Sequence, residues 1–150
     1  MVATPAPATL LRARTGCDLQ RVDDVADAVR DFGSRYLDRV YTPAEQASYA
    51  AGGPASLAAR FAAKEAVLKL IGTADGVDLR TVEIRTAAGG RPEVHLTGRA
   101  AELAAAAGLD TAGIDVSLSH TGDLALAVAV GLRHTPGETP TTTPTETGTA

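Results

Sequence analysis

The sequence is poor in aromatic residues, cysteine and lysine, and each shortage narrows the possible functions. Aromatic residues make up 3% of the 150 residues and tryptophan is absent, so the chain lacks the stacking surfaces that hold single-stranded nucleic acid. The one cysteine, Cys17, cannot form a disulfide within the chain, and Cys/His spacings typical of zinc sites are absent. The formal net charge of -4 argues against binding of nucleic acid through bulk positive charge.

Long apolar runs are absent as well. No stretch approaches the ~20 consecutive apolar residues of a membrane-spanning helix, and residues 1–9 lack the basic and apolar regions of a signal peptide. Together with the unpaired cysteine, these absences predict a cytoplasmic protein that does not use a membrane. The chain does have 45% hydrophobic residues, which is enough for one domain with a hydrophobic core.

The chain divides into a body and two polar ends. Residues 134–150 are mostly Thr, Pro, Gly and Glu, so they bury too little apolar surface to offset the entropy of ordering. We therefore predict a flexible N-terminus at 1–9, a folded domain at 10–133 and a disordered Thr/Pro-rich tail at 134–150.

Hydrophobic periodicity within the body predicts an α+β fold, with a largely antiparallel sheet packed against a long central helix. Cys17 lies on the apolar side of the first strand, where it is expected to be a small core residue. The last strand is continuously apolar, which predicts burial on both faces. The predicted strands cover 10–19, 79–86, 92–97, 114–119 and 124–130, and Gly89-Gly90 indicates a hairpin between the second and the third. The predicted helices cover 22–32, a short segment beginning at Thr42-Pro43, 54–71 and 98–107. In the short segment Thr42 is the expected N-cap and Glu45 the glutamate of a capping box.

Both lysines of the chain lie in the predicted central helix, whereas all twelve other cationic side chains are arginine. At 100° per residue, Lys64 falls in the middle of the apolar stripe, Glu65 lies at its edge, and Lys69 follows Glu65 at i+4. One interpretation is a surface pair between Glu65 and Lys69, with Lys64 extending towards solvent. The other is a metal–phosphate site, in which the carboxylate holds a divalent cation and the lysines contact phosphate oxygens.

A second carboxylate would support the metal–phosphate interpretation, and Asp18 is the candidate. It ends the first predicted strand on the polar face, two residues after Gly16. Aspartate at a strand end is also a common turn residue, so the pairing with Glu65 depends on the fold. His120 has two interpretations as well, a structural residue in a polar turn or part of a site. It does not belong to a Ser-His-Asp hydrolase of the G-x-S-x-G type, because that motif is absent.

With these residues in place, the chain resembles the holo-(acyl-carrier-protein) synthase family, the small AcpS-type 4′-phosphopantetheinyl transferases. The resemblance covers most of the body. It is most specific in the run Arg60-Phe61-Ala62-Ala63-Lys64-Glu65-Ala66 with Lys69 four residues after the glutamate. It also includes Gly16-Cys17-Asp18-Leu19, 38–45, Gly72-Thr73, Gly90-Arg91-Pro92 and Val116-Ser117-Leu118-Ser119-His120-Thr121.

The resemblance implies transfer of 4′-phosphopantetheine from coenzyme A to a serine of an apo acyl carrier protein, with release of 3′,5′-ADP. It implies that Asp18 and Glu65 hold Mg²⁺, that Glu65 helps to deprotonate the serine, and that Lys69 neutralises the pyrophosphate. It further implies a homotrimer with sites at subunit interfaces. The residues implied to bind coenzyme A are Arg60, Lys64, Lys69, Gly72, Arg91, Pro92, His120 and Thr121.

The chain departs from the family pattern at the helix expected to dock the carrier protein. The family often has a glutamate where this chain has Arg21, and a basic helix where this chain has a mostly acidic one, with aspartates at 23, 24, 27 and 31. Ala74 also replaces a glycine that often follows Gly72-Thr73. One interpretation of the acidic helix is that its aspartates form a solvated face. The other is a less acidic or dedicated carrier, of a polyketide pathway rather than of fatty acid biosynthesis.

Two further alternatives to a standalone transferase remain open at this point. One is a catalytically weak paralogue that binds coenzyme A or a carrier without transfer. The other is the same transferase as an excised domain of a larger synthase, with the Thr/Pro tail as a linker.

Overall fold

The computed structural model describes residues 10–135, which form five helices and five strands. In chain order these are β1 (Leu10–Arg21), α1 (Val22–Phe32), α2 (Ser34–Val40), α3 (Pro43–Ala47), α4 (Tyr49–Ile71), β2 (Val82–Thr86), β3 (Pro92–Leu96), α5 (Gly98–Ala106), β4 (Asp115–Thr121) and β5 (Leu124–Thr135). Short 3₁₀ turns at Leu79–Thr81 and Thr111–Gly113 precede β2 and β4. The α+β class predicted from the sequence is confirmed.

The strands form two antiparallel sheets. Three strands pair in the order β1-β5-β4, and the β2–β3 hairpin forms a separate two-stranded sheet. Helix α4 packs against the three-stranded sheet through small side chains, since alanines on both elements are fully buried in one core cluster. These alanines are Ala62, Ala63 and Ala66 of α4 and Ala127 and Ala129 of β5.

A glycine on β1 permits this close packing. A Cβ atom added at Gly16 would collide with the backbone carbonyl of Ala66 and lie 2.7 Å from the Leu70 nitrogen. Because both obstacles are backbone atoms of α4, neither can move aside as a flexible side chain would. Gly16 therefore fixes how closely β1, with Asp18 two residues further on, approaches the helix that carries Glu65 and Lys69.

Helix α4 is the predicted central helix, extended at its N-terminal end. Its first turn is separated from the rest by Gly53, whose φ of 58° is non-helical, so that the continuous helix begins at Pro54 as predicted. It ends at Gly72, which adopts the left-handed conformation. The Thr42 capping box also forms at the start of α3, with reciprocal bonds between Thr42 and Glu45.

Three details differ from the sequence-based expectation. Helix α2 was not predicted, although Tyr36, Leu37 and Val40 give it an inward face after Gly33 interrupts α1. Residues 79–81 form a 3₁₀ turn rather than the beginning of β2. Cys17 is exposed, because the apolar side of β1 on which it lies faces away from α4.

The expectation that β5 is buried on both faces is wrong for the single chain. Its side chains alternate, with Ala125, Ala127 and Ala129 fully buried towards α4 and larger side chains exposed on the opposite face. Those exposed side chains are Leu126, Val128, Val130 and Leu132, and Leu19 of β1 lies opposite Leu126 in the register. We call these five residues the outer apolar face.

The expectations for residues 1–9 and 136–150 lie outside the described residues. Strand β5 runs to Thr135, two residues beyond the predicted end of the folded body. Within residues 10–135, no helix is both long and apolar enough to span a membrane.

Candidate active site

Asp18 and Lys69 form an ion pair where β1 lies against α4. Lys69 Nζ donates to Asp18 Oδ1 at 2.7 Å and to the carbonyl oxygen of Cys17 at 3.0 Å. The Asp18 side chain is 16% exposed and that of Lys69 is 53% exposed. The hydrogen bond to Asp18 raises the pKa of Lys69, which keeps the ammonium charged. The surface pair considered between Glu65 and Lys69 does not form, since Lys69 bonds across to β1 instead.

Glu65 lies beside this pair and is partly buried. Burial raises the pKa of Glu65, the nearby charge of Asp18 raises it further, and Lys69 lowers it in part. Within residues 10–135 the carboxylate accepts no hydrogen bond and forms no ion pair. The fold therefore does bring together Asp18 and Glu65, which are 47 positions apart in the sequence.

The donor set formed by Asp18 and Glu65 fits a hard divalent cation. Carboxylate oxygens are the protein ligands that Mg²⁺ prefers, and Mg²⁺ commonly takes one or two of them together with phosphate oxygens and water. No cluster of three or more His, Cys, Asp or Glu side chains suited to a metal occurs in residues 10–135. The pair thus fits a metal shared with a phosphorylated ligand better than a metal enclosed by protein alone.

A cleft of about 370 Å³ adjoins the Glu65 carboxylate. It is lined by Glu65, Leu68, Lys69 and the loop from Gly72 to Ala74. Gly72 ends α4 with a φ of 97°, and its amide donates to the Leu68 carbonyl. A side chain here would also approach the Arg14 guanidinium, whose Nη1 donates to the carbonyl of Ile71.

A second cleft, of about 330 Å³, holds other candidate residues. Gly90, Pro92 and His120 line it together with Arg60. Arg60 is held by its own helix and by β2, with Nη1 donating to Ser56 Oγ at 2.7 Å and Nη2 donating to Thr86 Oγ1 at 3.1 Å. Sequence reasoning missed Ser56 and Thr86 as partners, although the i−4 spacing of Ser56 from Arg60 carries a signal for the first.

The two clefts have no lining residue in common. Within one chain, therefore, Arg60, Pro92 and His120 belong to one depression and Glu65, Lys69 and Gly72 to another. Arg91 lines neither cleft. Its Nη2 donates to Asp115 Oδ2 at 2.6 Å beside a third groove between β3 and β4, which shares Pro92 with the second cleft. Thr121 ends β4 and is exposed.

Lys64 belongs to the core, which corrects its assignment as a phosphate ligand. Its side chain has no exposed surface, and Nζ donates to Glu45 Oε2 at 2.8 Å and to the carbonyl oxygens of Leu79 and Val82. All three ammonium donors are used internally. Burial lowers the pKa of Lys64, and the neighbouring charge of Glu45 opposes that effect.

Glu45 is the residue of this network that sequence reasoning assigned only to the capping box. Its Oε2 accepts from the Thr42 amide and from Lys64, while Oε1 accepts from the Ile84 amide of β2 at 2.9 Å. The Glu45 carboxylate thus caps α3, neutralises the Lys64 ammonium of α4 and accepts a hydrogen bond from β2. A capping glutamate that is almost fully buried implies a cationic partner, but the sequence does not indicate which one.

Carboxylates beside a lysine, with an arginine- and histidine-lined cleft on the same chain, are typical of enzymes that act on phosphorylated ligands. The comparisons specify the class. The sequence profile described as the 4′-phosphopantetheinyl transferase superfamily, ACPS, matches residues 14–129. The holo-[acyl-carrier-protein] synthase of Desulforudis audaxviator is 45% identical over 120 residues, covering 78% of this chain and 90% of that protein.

Solved structures agree with the sequence comparison. The acyl carrier protein synthase of Mycobacterium tuberculosis is 36% identical with a TM-score of 0.61, over 81% of this chain and 97% of that one. A Chronobacterium ammoniagenes ACPS–CoA complex is 28% identical with a TM-score of 0.69, over 83% and 98%. The chain therefore belongs to the holo-(acyl-carrier-protein) synthase family of 4′-phosphopantetheinyl transferases.

The contrast between the two lysines gives a stability prediction. Lys64→Met leaves Glu45 as an unpaired buried charge, so we expect it to lower the free energy of unfolding by ~3–5 kcal/mol. Adding Glu45→Gln should restore part of this loss by removing that charge. Lys69→Met, at an exposed position of the same helix, should leave the denaturation midpoint nearly unchanged.

Urea unfolding followed by circular dichroism, at one fixed protein concentration, measures the three variants. Equal destabilisation by Lys64→Met and Lys69→Met would contradict the role assigned to the buried pair.

Proposed function

We propose that the chain transfers 4′-phosphopantetheine from coenzyme A to a serine of an apo acyl carrier protein, releasing 3′,5′-ADP, with its active site at Asp18, Glu65 and Lys69. The observation that carries the assignment of the site is the meeting of these three side chains at the junction of β1 and α4, in a chain that belongs to this transferase family. Its co-substrate is coenzyme A and its protein substrate is the carrier.

The reaction requires one proton transfer and one exchange of phosphorus–oxygen bonds. The serine hydroxyl oxygen bonds to the phosphorus next to the pantetheine, and the bond from that phosphorus to the bridging oxygen of 3′,5′-ADP breaks. Glu65 takes the hydroxyl proton, directly or through a water molecule. Its carboxylate suits this role because no donor within residues 10–135 bonds it and because its pKa is raised by burial. Lys69 neutralises charge on the departing diphosphate oxygen.

The residues present fit Mg²⁺, with Asp18 and Glu65 as its protein ligands. When bound there together with the pyrophosphate, the ion supplies charge neutralisation at the transferred phosphoryl group. Lys69 and the Gly72 loop line the same cleft, so the pyrophosphate is expected between the helix end and the carboxylates.

The second cleft is proposed to hold the nucleotide part of coenzyme A. Arg60 and His120 supply positive or hydrogen-bonding groups for phosphate, and Gly90 and Pro92 leave room for the adenine. In this proposal Arg91 and Thr121 lie at the rim of the second cleft, and Arg91 gives up its bond to Asp115 in order to bind the ligand. Lys64 is not included. The reaction is placed in the cytoplasm, in keeping with a single cysteine that has no disulfide partner in the chain.

A single coenzyme A must reach both clefts, although each chain separates them. A second copy that lays its Arg60–His120 cleft against the Asp18–Glu65 site would complete one binding site. The outer apolar face supports such assembly, because it exposes four large apolar side chains in a row on β5 and one on β1. We therefore propose a homotrimer with three equivalent sites between subunits, in which this face is covered.

The docking surface for the carrier is proposed to lie on α1 and α2, with mixed charge. Asp27 and Asp31 are partly neutralised by Arg30, at 2.6 and 2.9 Å, whereas Asp23 and Asp24 are exposed and form no ion pair within residues 10–135. Next to this acidic stretch lies a hollow of about 350 Å³ lined by Phe32, Arg35, Tyr36 and Arg39. Such a surface favours a carrier with only a local acidic segment, as in a dedicated, polyketide-type partner.

The catalytic assignment is tested by Glu65→Gln. Because the amide neither accepts the serine proton nor carries the negative charge that holds Mg²⁺, transfer should fall at least about 100-fold while the fold is retained. Intact mass spectrometry of an apo carrier incubated with coenzyme A and Mg²⁺ measures the added phosphopantetheine.

Glu102→Gln, at an exposed carboxylate of α5, is the matched control and should keep full activity. Undiminished transfer by Glu65→Gln would refute the assigned site.

The assembly is tested by Val128→Asp in the centre of the outer apolar face. A carboxylate there cannot be buried without a partner, so the variant should be monomeric and lose transfer while its circular dichroism spectrum is unchanged. Size-exclusion chromatography with light scattering gives the mass. Ala105→Asp, which adds the same charge at an exposed position of α5, should remain trimeric. A trimeric Val128→Asp protein would argue against this interface.

Carrier preference is tested by the double substitution Asp23→Asn with Asp24→Asn. Removing two exposed negative charges should raise the transfer rate with strongly acidic carriers by up to about tenfold at low salt and less at high salt. The rate with weakly acidic carriers should change little. Initial rates over a carrier panel at two ionic strengths measure this, and a wild-type preference for the most acidic carrier would overturn the proposal.

A further inference from the structure

Lys69 bonds the Asp18 carboxylate, which is one of the two proposed ligands of the metal. Its Nζ bonds Asp18 Oδ1 at 2.7 Å and is held in place by the Cys17 carbonyl at 3.0 Å. Asp18 is the more enclosed partner and Lys69 the more exposed one. The lysine can therefore swing towards solvent, whereas the carboxylate is fixed at the strand end.

This arrangement opposes binding of a divalent cation by itself. A cation shared by Asp18 and Glu65 would lie next to the ammonium group already bonded to Asp18, and like charges that close repel strongly in a partly enclosed site. The repulsion is relieved when Lys69 leaves Asp18 for another anion. The Asp18–Lys69 ion pair and a metal at the same carboxylate are thus competing states.

A phosphorylated ligand supplies that other anion. Lys69 lines the same cleft as Glu65 and the Gly72 loop, so a diphosphate in this cleft lies within reach of the lysine once its side chain turns away from β1. The same movement gives the phosphate a cationic donor and frees the Asp18 carboxylate for the metal.

We propose that Lys69 is an internal counter-ion that makes occupation of the Asp18–Glu65 metal site depend on coenzyme A. Without coenzyme A, Lys69 neutralises Asp18 and keeps metal affinity low. With coenzyme A, Lys69 transfers to the diphosphate and metal affinity rises. By linkage, the metal raises the affinity for coenzyme A by the same factor. This inference rests on the proposed metal site, and the experiment distinguishes failure of the counter-ion role from failure of the metal site.

Mn²⁺ binding to the full chain, measured by the electron paramagnetic resonance signal of the free ion, tests the proposal. In the wild-type protein, saturating coenzyme A should tighten Mn²⁺ binding at least about tenfold. Lys69→Met should bind Mn²⁺ about fivefold more tightly than wild type when coenzyme A is absent, because the competing ammonium is gone. Direct ligation by phosphate persists in both proteins, so the coenzyme A effect in Lys69→Met should shrink by a similar factor rather than vanish.

Two variants separate charge at the site from charge in general. Lys69→Arg keeps a cation next to Asp18 and should keep the weak Mn²⁺ binding of wild type. Arg99→Ala removes an exposed cation that pairs with Glu102 on α5 and should also behave as wild type. If Lys69→Met binds Mn²⁺ no more tightly than these proteins do, the counter-ion role is wrong.

Glu65→Gln tests the metal site independently. Loss of Mn²⁺ binding in this variant, both with and without coenzyme A, supports the site on which the proposal rests. Retained binding overturns that site and the counter-ion role with it. If Glu65→Gln loses Mn²⁺ binding while Lys69→Met binds Mn²⁺ as wild type does, the counter-ion role alone is overturned.

The scarcity of lysine offers a direct view of the exchange. Protein labelled with ¹³C-lysine carries the label only at Lys64 and Lys69. Lys64 is an internal reference because it is fully buried and its ammonium donors are all used. Coenzyme A without metal should shift the ε-methylene signal of Lys69 and leave that of Lys64 in place. An unmoved Lys69 signal at saturating coenzyme A would contradict the proposed transfer.

Discussion

The orientation of helix α4 depends on the buried ion pair between Lys64 and Glu45. An ammonium group without any exposed surface is tolerated only where all its hydrogens are bonded, and Glu45 and the carbonyls of Leu79 and Val82 supply those bonds. Glu45 in turn caps α3 and accepts from the Ile84 amide. Rotation of α4 about its axis would break this network. The pair therefore fixes which residues of the helix face outwards and which neighbouring element each of them faces.

That constraint places the candidate site. Glu65 follows Lys64 by 100° around the helix and Lys69 lies near Glu65, so both face the end of β1, where Gly16 permits close approach. Arg60 lies one turn before Lys64 and faces the β2–β3 hairpin, where it bonds Thr86. Helix α4 thus presents the candidate residues Glu65 and Lys69 on one side of the buried Lys64 and the candidate residue Arg60 on the other.

The sequence predicted the parts of this arrangement that depend on local pattern. The helical period placed Lys64 in the buried stripe, the Thr42–Glu45 spacing indicated a capping box, and Gly89-Gly90 indicated the hairpin; all three are present. It could not identify Glu45 as the partner of Lys64, because contacts between separate elements leave no periodic signal. Family resemblance then favoured a phosphate role for Lys64, and the burial of its side chain decided against it.

The distribution of side-chain size on β5 links the fold to assembly. Alanines face α4, because Gly16 and the small residues of the helix bring the layers close together, whereas leucines and valines face outwards. Exposed rows of apolar side chains of this kind are unusual on the surface of a monomer. A continuously apolar sequence is typical of a strand that is covered on both faces. The prediction that β5 is buried on both faces is wrong for the single chain, and the proposed trimer is the arrangement that would cover its outer apolar face. In the homotrimer proposed above, the contact that covers this face also brings together the two clefts that α4 keeps apart, so that in this proposal subunit association and formation of the active site are one event.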